Sequence, residues 1–195
     1  YQREYVWKQE NWAQLLDDLW DNPPGYFLGS MICINRSQDA MQIQELEVVD
    51  GQQRLTTLSL LYAAIHACLA QCKPEDEDAK HELFNLRHRL LFKGPKKQLR
   101  LEPSFQGHNY DDYRAILDRA GILSGVQARP YAGNRLLSKA YKFFVERLDE
   151  LGGQFGRLEQ ALIQEPRVDV RRDGARAYDL AACQFDANGG APLDD

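Results

Sequence analysis

The chain has 195 residues, of which 44% are hydrophobic, and its formal net charge at pH 7 is -5. This length and composition suffice to bury a substantial core, and the negative charge excludes a protein coated in basic side chains. Any contact with nucleic acid therefore has to come from a local patch such as residues 93–100, for which a solvated loop is the favoured interpretation.

The sequence predicts no transmembrane segment, no disulfide framework and no zinc site. No apolar run approaches the roughly 18 to 20 residues that cross a bilayer, and the N-terminus has no apolar signal region. The four cysteines are scattered, with one i,i+4 pair at Cys68 and Cys72, and the four histidines lack metal-ligand spacing. We therefore expect a soluble, cytoplasmic protein without a zinc site and without a membrane contact.

The first predicted elements are a short helix and a hairpin. Apolar side chains recur at helical spacing over residues 10–20, and the sequence Asn-Pro-Pro-Gly ends the pattern. Aromatic and aliphatic residues then predict a strand over 26–34, and a polar loop separates it from a second strand over 44–49. A hairpin followed by a turn at Asp50 is the expected result.

The rest of the chain is predicted to be mainly helical. A strongly amphipathic helix of about five turns follows Asp50 and ends at Lys73 and Pro74. Further helices are predicted over 80–92, 109–120, 135–151, 155–163 and 175–185, with short strands over 99–102 and 167–170. The apolar stripe of the helix over 135–151 indicates core or an interface with a missing C-terminal half. The whole is α+β, with the strands concentrated in the first hundred residues.

The turn after the second strand contains the most closely spaced candidate functional residues. Asp50 and Gly51 are followed by Gln52, Gln53 and Arg54, which place a carboxylate, two amides and a guanidinium at a helix start. Such a start offers unpaired N–H groups and the positive end of the helix dipole, so it suits phosphate. Ordinary N-capping is an equally good interpretation of the spacing alone.

The N-terminal run from Tyr1 to Trp7 alternates aromatic, polar and cationic groups. As a functional surface, Arg3 contacts phosphate and an aromatic side chain stacks on a base. As a structural element, it is an edge strand whose Tyr5 and Trp7 pack into the core, and for Trp7 core packing is favoured.

Three segments together resemble the N-terminal domain of GmrSD-type restriction endonucleases: residues 1–7, residues 26–30 and residues 48–58. The resemblance implies a small mixed sheet with helices, similar to the ParB/sulfiredoxin fold, as a nucleotide-binding core over 1–72. A mainly helical extension over 73–195 belongs to the same domain family, and the chain is expected to be truncated at both ends. Residues 185–190 resemble a later family segment imperfectly, because the interval from Phe185 to Asn188 is one residue short and Gly189 replaces an arginine.

The resemblance implies binding and hydrolysis of a nucleoside triphosphate that controls cleavage of DNA, including modified DNA, in phage defence. The cleavage belongs to a separate C-terminal nuclease domain of the His-Asn-His type. A non-hydrolysing nucleotide- or DNA-binding sensor and, less favoured, a ParB-like nuclease are the alternatives.

The candidate catalytic residues follow from this hypothesis. Gln52, Gln53 and Arg54 hold phosphates, and Arg54 or Arg3 stabilises the developing charge. Asp50 either holds Mg²⁺ or positions the attacking water, or it caps the helix and organises Arg54. Gly29 and Ser30 form a second phosphate-facing turn or, equally, a strand with a glycine bulge. The candidate phosphate- and nucleotide-binding residues are Gln2, Arg3, Tyr5, Gly29, Ser30, Gly51, Thr56 and Thr57.

Overall fold

The protein is described here by a computed structural model. It describes residues 4–23, 26–36, 46–72, 77–92, 98–103, 108–126, 135–151, 169–172 and 175–179, the last two ranges by their backbone alone. The helices are α1 (Gln9–Asp21), α2 (Gln52–Cys72), α3 (Glu77–Leu90), α4 (Asn109–Arg119) and α5 (Leu136–Glu150). The strands are β1 (Met31–Asn35), β2 (Leu46–Asp50), β3 (Asp169–Arg172) and β4 (Ala175–Asp179). The predicted α+β class is confirmed, and five predicted helices match α1 to α5 within a few residues.

One sheet joins strands from both ends of the chain. Its order is β2-β1-β3-β4, with β1 antiparallel to β2, parallel to β3, and β3 antiparallel to β4. The register between β1 and β2 pairs Ile32 with Asp50 and Cys33 with Val48, so Val49 is the extra residue of a bulge. The predicted hairpin pairing is therefore confirmed, and the bulge lies directly before the Asp50 turn.

The predicted helix over 175–185 is wrong for residues 175–179, which form β4. Alanines favour a helix locally, but pairing with β3 overrides that preference. The sequence does carry a signal for this hairpin, because Asp173 and Gly174 separate the two strands. The predicted strand over 99–102 is also wrong, since Leu99 forms only an isolated bridge with Leu91.

Helix α2 is the centre of the core. Every side chain from Thr56 to Leu69 is buried, and α2 packs against α3, α4 and α5. The prediction of an amphipathic helix is therefore wrong, because a helix surrounded by other elements is apolar on all sides. By length and composition α2 is also sufficient to cross a bilayer, contrary to expectation, yet 72% of its most apolar stretch is buried inside the fold, as in the core helix of a globular domain.

The helix α5 completes the core. Its stripe of Leu137, Ala140, Tyr141, Phe144 and Leu148 is buried, so core is the correct interpretation of that stripe. Cys33 and Cys68 are buried, and Cys72 is exposed. The predicted helix over 155–163, residues 93–97 of the basic patch and the segment at 185–190 lie outside the described residues.

Candidate functional site

The turn between β2 and α2 requires a glycine. Gly51 has φ +87°, and a Cβ atom there would lie 2.5 Å from Cγ of Met31. Its carbonyl accepts the N–H of Leu55 at 3.0 Å, which is the first hydrogen bond of α2. Helix geometry gives the N–H groups of Gln53 and Arg54 no intrahelical acceptor, so the turn presents donors at the positive end of the helix dipole.

Asp50 occupies the exposed end of β2 immediately before this turn. Within the described part of the chain, its carboxylate forms no hydrogen bond and no ion pair. The carboxylate is therefore open to solvent at the helix start. No group of three or more His, Cys, Asp or Glu side chains suited to a metal ion occurs among the described residues, so a metal here would have Asp50 as its protein ligand and would need oxygens from a ligand.

The Gln53 side chain fastens the N-terminal segment to the start of α2. Its Oε1 accepts the N–H of Val6 at 2.8 Å and, more weakly, that of Trp7 at 3.4 Å. Its Nε2 donates to the carbonyl of Glu4 at 3.1 Å. The amide oxygen accepts from backbone N–H groups and the amide nitrogen donates to a backbone carbonyl, so the side chain pairs with this segment as the backbone of a neighbouring strand would. We call this set of contacts the Gln53 clamp; the expected phosphate contact of Gln53 stays a prediction.

A buried hydroxyl network supports the clamp from below. Tyr5 is 2% exposed, and its hydroxyl lies 2.7 Å from Oγ1 of Thr57 and accepts Nε1–H of Trp12 at 2.9 Å. Burial, partly offset by these hydrogen bonds, raises the pKa of Tyr5 to about 12. The Thr57 hydroxyl also donates to the carbonyl of Gln53 at 2.7 Å. The ring of Tyr5 therefore has a core position rather than a surface on which a base could stack.

The other polar residues of the turn are also partly committed to the fold. Nε2 of Gln52 donates to the carbonyl of Val48, which ties the amide back to β2. Thr56 is buried, and its carbonyl accepts the hydroxyl of Ser59 at 2.7 Å. Their predicted roles as ligand contacts are not tested by these positions.

Arg54 joins the turn to a second glycine. Gly29 has φ +107°, and a Cβ there would lie 2.7 Å from Nη1 of Arg54, so the guanidinium occupies the space that a side chain would fill. The same nitrogen lies 3.5 Å from the carbonyl of Ser30. Arg54 is half-buried and forms no ion pair with any described residue. A guanidinium held this way, with no counterion among the described groups, is well suited to donate hydrogen bonds to an anion.

A cavity of about 200 Å³ lies beside Arg54, between it and the start of α1. Its apolar lining comes from Trp7, Leu15 and Leu28. Its polar lining comes from Asn11, Gln14, Asp18 and Arg54. This cavity is not predicted from the sequence. The three polar residues of α1 stand at i, i+3 and i+7 on one helical face, which is the signal that could have indicated it.

The structure therefore brings together most of the predicted site. The Asp50 turn, the Gly29 turn and the segment from Glu4 to Trp7 meet at the N-terminus of α2. Gln2 and Arg3 lie outside the described residues, directly before Glu4 in the chain.

Comparison with known proteins agrees with the resemblance noted in the sequence. A family model described as "GmrSD restriction endonuclease, N-terminal domain" matches residues 1–182, which include every described element. A comparison with curated proteins gave no match.

Proposed function

The chain belongs to the GmrSD restriction endonuclease N-terminal domain family, and we propose that it binds and hydrolyses a nucleoside triphosphate to regulate DNA cleavage by a separate nuclease domain. The observation that carries this proposal is the half-buried Arg54 guanidinium. It lies against the Gly29 turn and one helical turn from exposed Asp50, with no ion pair among the described residues. A cation without a described counterion at a helix N-terminus favours an anionic ligand.

The triphosphate is the anion that best fits these groups. The N–H groups at the start of α2 and the Arg54 guanidinium bind phosphate oxygens, and Arg54 stabilises the charge that develops as the terminal phosphoryl group transfers to water. The bond from the terminal phosphorus to the bridging oxygen breaks while the bond to the water oxygen forms, giving nucleoside diphosphate and inorganic phosphate.

Asp50 is the group that we assign to the water or to a metal. A single carboxylate together with phosphate oxygens and water is a set that Mg²⁺ accepts, so Asp50 fits as its protein ligand. When bound, the ion neutralises charge on the phosphates. In the other assignment, the Asp50 carboxylate accepts a proton from the attacking water, and the same residue then acts as the base.

The Gln53 clamp, Tyr5 and Thr57 take a positioning role in this proposal. They hold the segment that follows Gln2 and Arg3 in the chain against the start of α2. Their hydrogen-bonding groups are satisfied within the protein, so they act through the geometry of the site.

Binding and turnover are tested separately with ATP, GTP, CTP and UTP, with and without Mg²⁺ and DNA. Loss of a charge-assisted contact costs roughly 1.5–3 kcal/mol, so we expect Arg54→Ala to weaken binding by about tenfold or more. Asp50→Ala should retain binding and lose phosphate release. Exposed residues of the same types serve as matched controls, in the variants Arg119→Ala and Asp17→Ala.

The alternatives give different results in the same experiment. Binding without phosphate release, even with DNA, would assign a non-hydrolysing sensor. Cleavage of modified or unmodified plasmid by this chain in Mg²⁺ or Mn²⁺ would assign a nuclease. No binding of any triphosphate would overturn the proposed site.

A further inference from the structure

The cavity beside Arg54 is lined by one aromatic side chain, two leucines and four polar side chains. Its apolar lining comprises the ring of half-buried Trp7 and the buried side chains of Leu15 and Leu28. Its polar lining includes three side chains of α1, Asn11, Gln14 and Asp18. A cavity of about 150 Å³ holds a benzene ring, so about 200 Å³ with an open mouth accommodates a larger heterocycle in part. A lining that combines apolar and polar side chains suits a heterocycle, whose ring faces are apolar and whose edge atoms form hydrogen bonds.

The polar side of the cavity presents a hydrogen-bond acceptor. Gln14 Nε2 donates to Oδ1 of Asp18 at 2.8 Å, which restricts the rotation of the partly buried carboxylate. An ionised carboxylate only accepts hydrogen bonds, and its two oxygens match a pair of adjacent donors. An ionised carboxylate has about four lone-pair sites, so the single hydrogen bond from Gln14 leaves Asp18 able to accept more.

This acceptor discriminates among the nucleobases. Guanine presents two adjacent donors, N1–H and the exocyclic amine, on its Watson–Crick edge. Adenine and cytosine present a ring nitrogen acceptor next to their amine, and uracil presents a single N–H between two carbonyls. A carboxylate therefore matches guanine and meets a repelling lone pair on the other three.

We infer that this cavity binds the guanine base of the triphosphate, with Asp18 accepting from N1–H and the exocyclic amine and Trp7 packing on the ring. Arg54 lines the cavity and also contacts the Gly29 turn, so it lies between the base and the phosphates. This inference rests on the proposed function, because it assigns the base end of the ligand whose phosphates lie at the start of α2.

The test separates the base end from the phosphate end. Binding of GTP, ATP, CTP, UTP, xanthosine triphosphate and inorganic tripolyphosphate is measured by calorimetry on the wild type, Asp18→Asn and Arg54→Ala. Asp17→Asn is the matched control, because Asp17 is an exposed acid on the same helix and does not line the cavity. Thermal unfolding of each variant shows that it is folded.

We expect the wild type to prefer GTP over ATP by about tenfold or more, as hydrogen bonds to a charged group predict. Asp18→Asn should lose that preference and gain affinity for xanthosine triphosphate, whose C2 carbonyl accepts from the new amide. Binding of tripolyphosphate should be unchanged by Asp18→Asn and weakened by Arg54→Ala.

Each other outcome overturns a stated part. If all triphosphates bind equally and Asp18→Asn changes nothing, Gln14 and Asp18 are an ordinary surface pair of α1, and the base assignment fails while the proposed function stands. If neither tripolyphosphate nor any nucleotide binds, both fail.

Discussion

Replacing Gln53 with alanine removes the clamp between the N-terminal segment and α2. Two of the lost hydrogen bonds are well formed, at 2.8 Å to Val6 and 3.1 Å to Glu4, and the third, to Trp7, is long at 3.4 Å. A hydrogen bond contributes about 1 kcal/mol net, and this site is partly exposed, so water replaces some of the loss. We expect Gln53→Ala to lower the free energy of unfolding by about 1–2 kcal/mol, or roughly 2–8 °C in Tm for a chain of this length.

The measurement is urea unfolding followed by tryptophan fluorescence, with amide hydrogen exchange at residues 4–7. The matched control is Gln71→Ala, an exposed glutamine at the other end of the same helix, which gives the same small gain in helix propensity. The backbone amides of Val6 and Trp7 should exchange faster in Gln53→Ala only. Equal unfolding midpoints for the two variants, with unchanged exchange at residues 4–7, would refute the clamp.

Three further predictions concern stability. Gly51→Ala should cost about 2–4 kcal/mol in denaturant unfolding, since it adds a clash with a methionine side chain to left-handed strain; Gly125→Ala has similar φ with open space around it and should show the strain alone. Burial raises the pKa of Tyr5 from an ordinary 10 to about 12, so its contribution to the free energy of unfolding is complete below pH 10 and is lost as pH rises toward 12. Tyr5→Phe should therefore show a smaller decrease in Tm over this alkaline range. Burial lowers the pKa of His66, so the unfolded chain binds the proton more readily and the free energy of unfolding should fall as pH drops below about 6.5. His66→Gln should reduce this loss of stability between pH 7 and pH 5. The control His81→Gln, at an exposed position, should not.

The sequence predicted the elements whose pattern is local. The helices α1 and α5 bury one stripe each, so the period of their apolar residues identifies them. The family resemblance is confirmed over residues 1–182, and it was carried by three short segments that the fold brings together. Nucleotide binding, the ParB-like character of the sheet and the cytoplasmic location stay predictions.

The elements that failed depend on long-range partners. Helix α2 is enclosed by three other helices, so its apolar residues cover every side. The prediction from apolar periodicity that this helix is amphipathic was therefore wrong. Strand β4 needs β3, which itself needs β1 from the other end of the chain. The cavity at Asp18 and Arg54 combines residues of α1 and α2, which are distant in sequence, so the polar face of α1 alone does not show what lies opposite it.

The two glutamines of the turn explain why the motif occurs together with the aromatic N-terminal run. Gln53 binds the backbone of that run, and Gln52 binds the end of β2, so both amides are used to join the turn to its neighbours. In the proposed function, this leaves Asp50 and Arg54 as the charged side chains of the turn that contact the ligand. Stability and activity should therefore separate within one motif. Gln53→Ala is expected to lower both. Arg54→Ala and Asp50→Ala should lower activity per folded molecule and leave the free energy of unfolding within about 0.5 kcal/mol of the wild type. A large loss of stability in Arg54→Ala would instead make that guanidinium a structural filler of the space above Gly29.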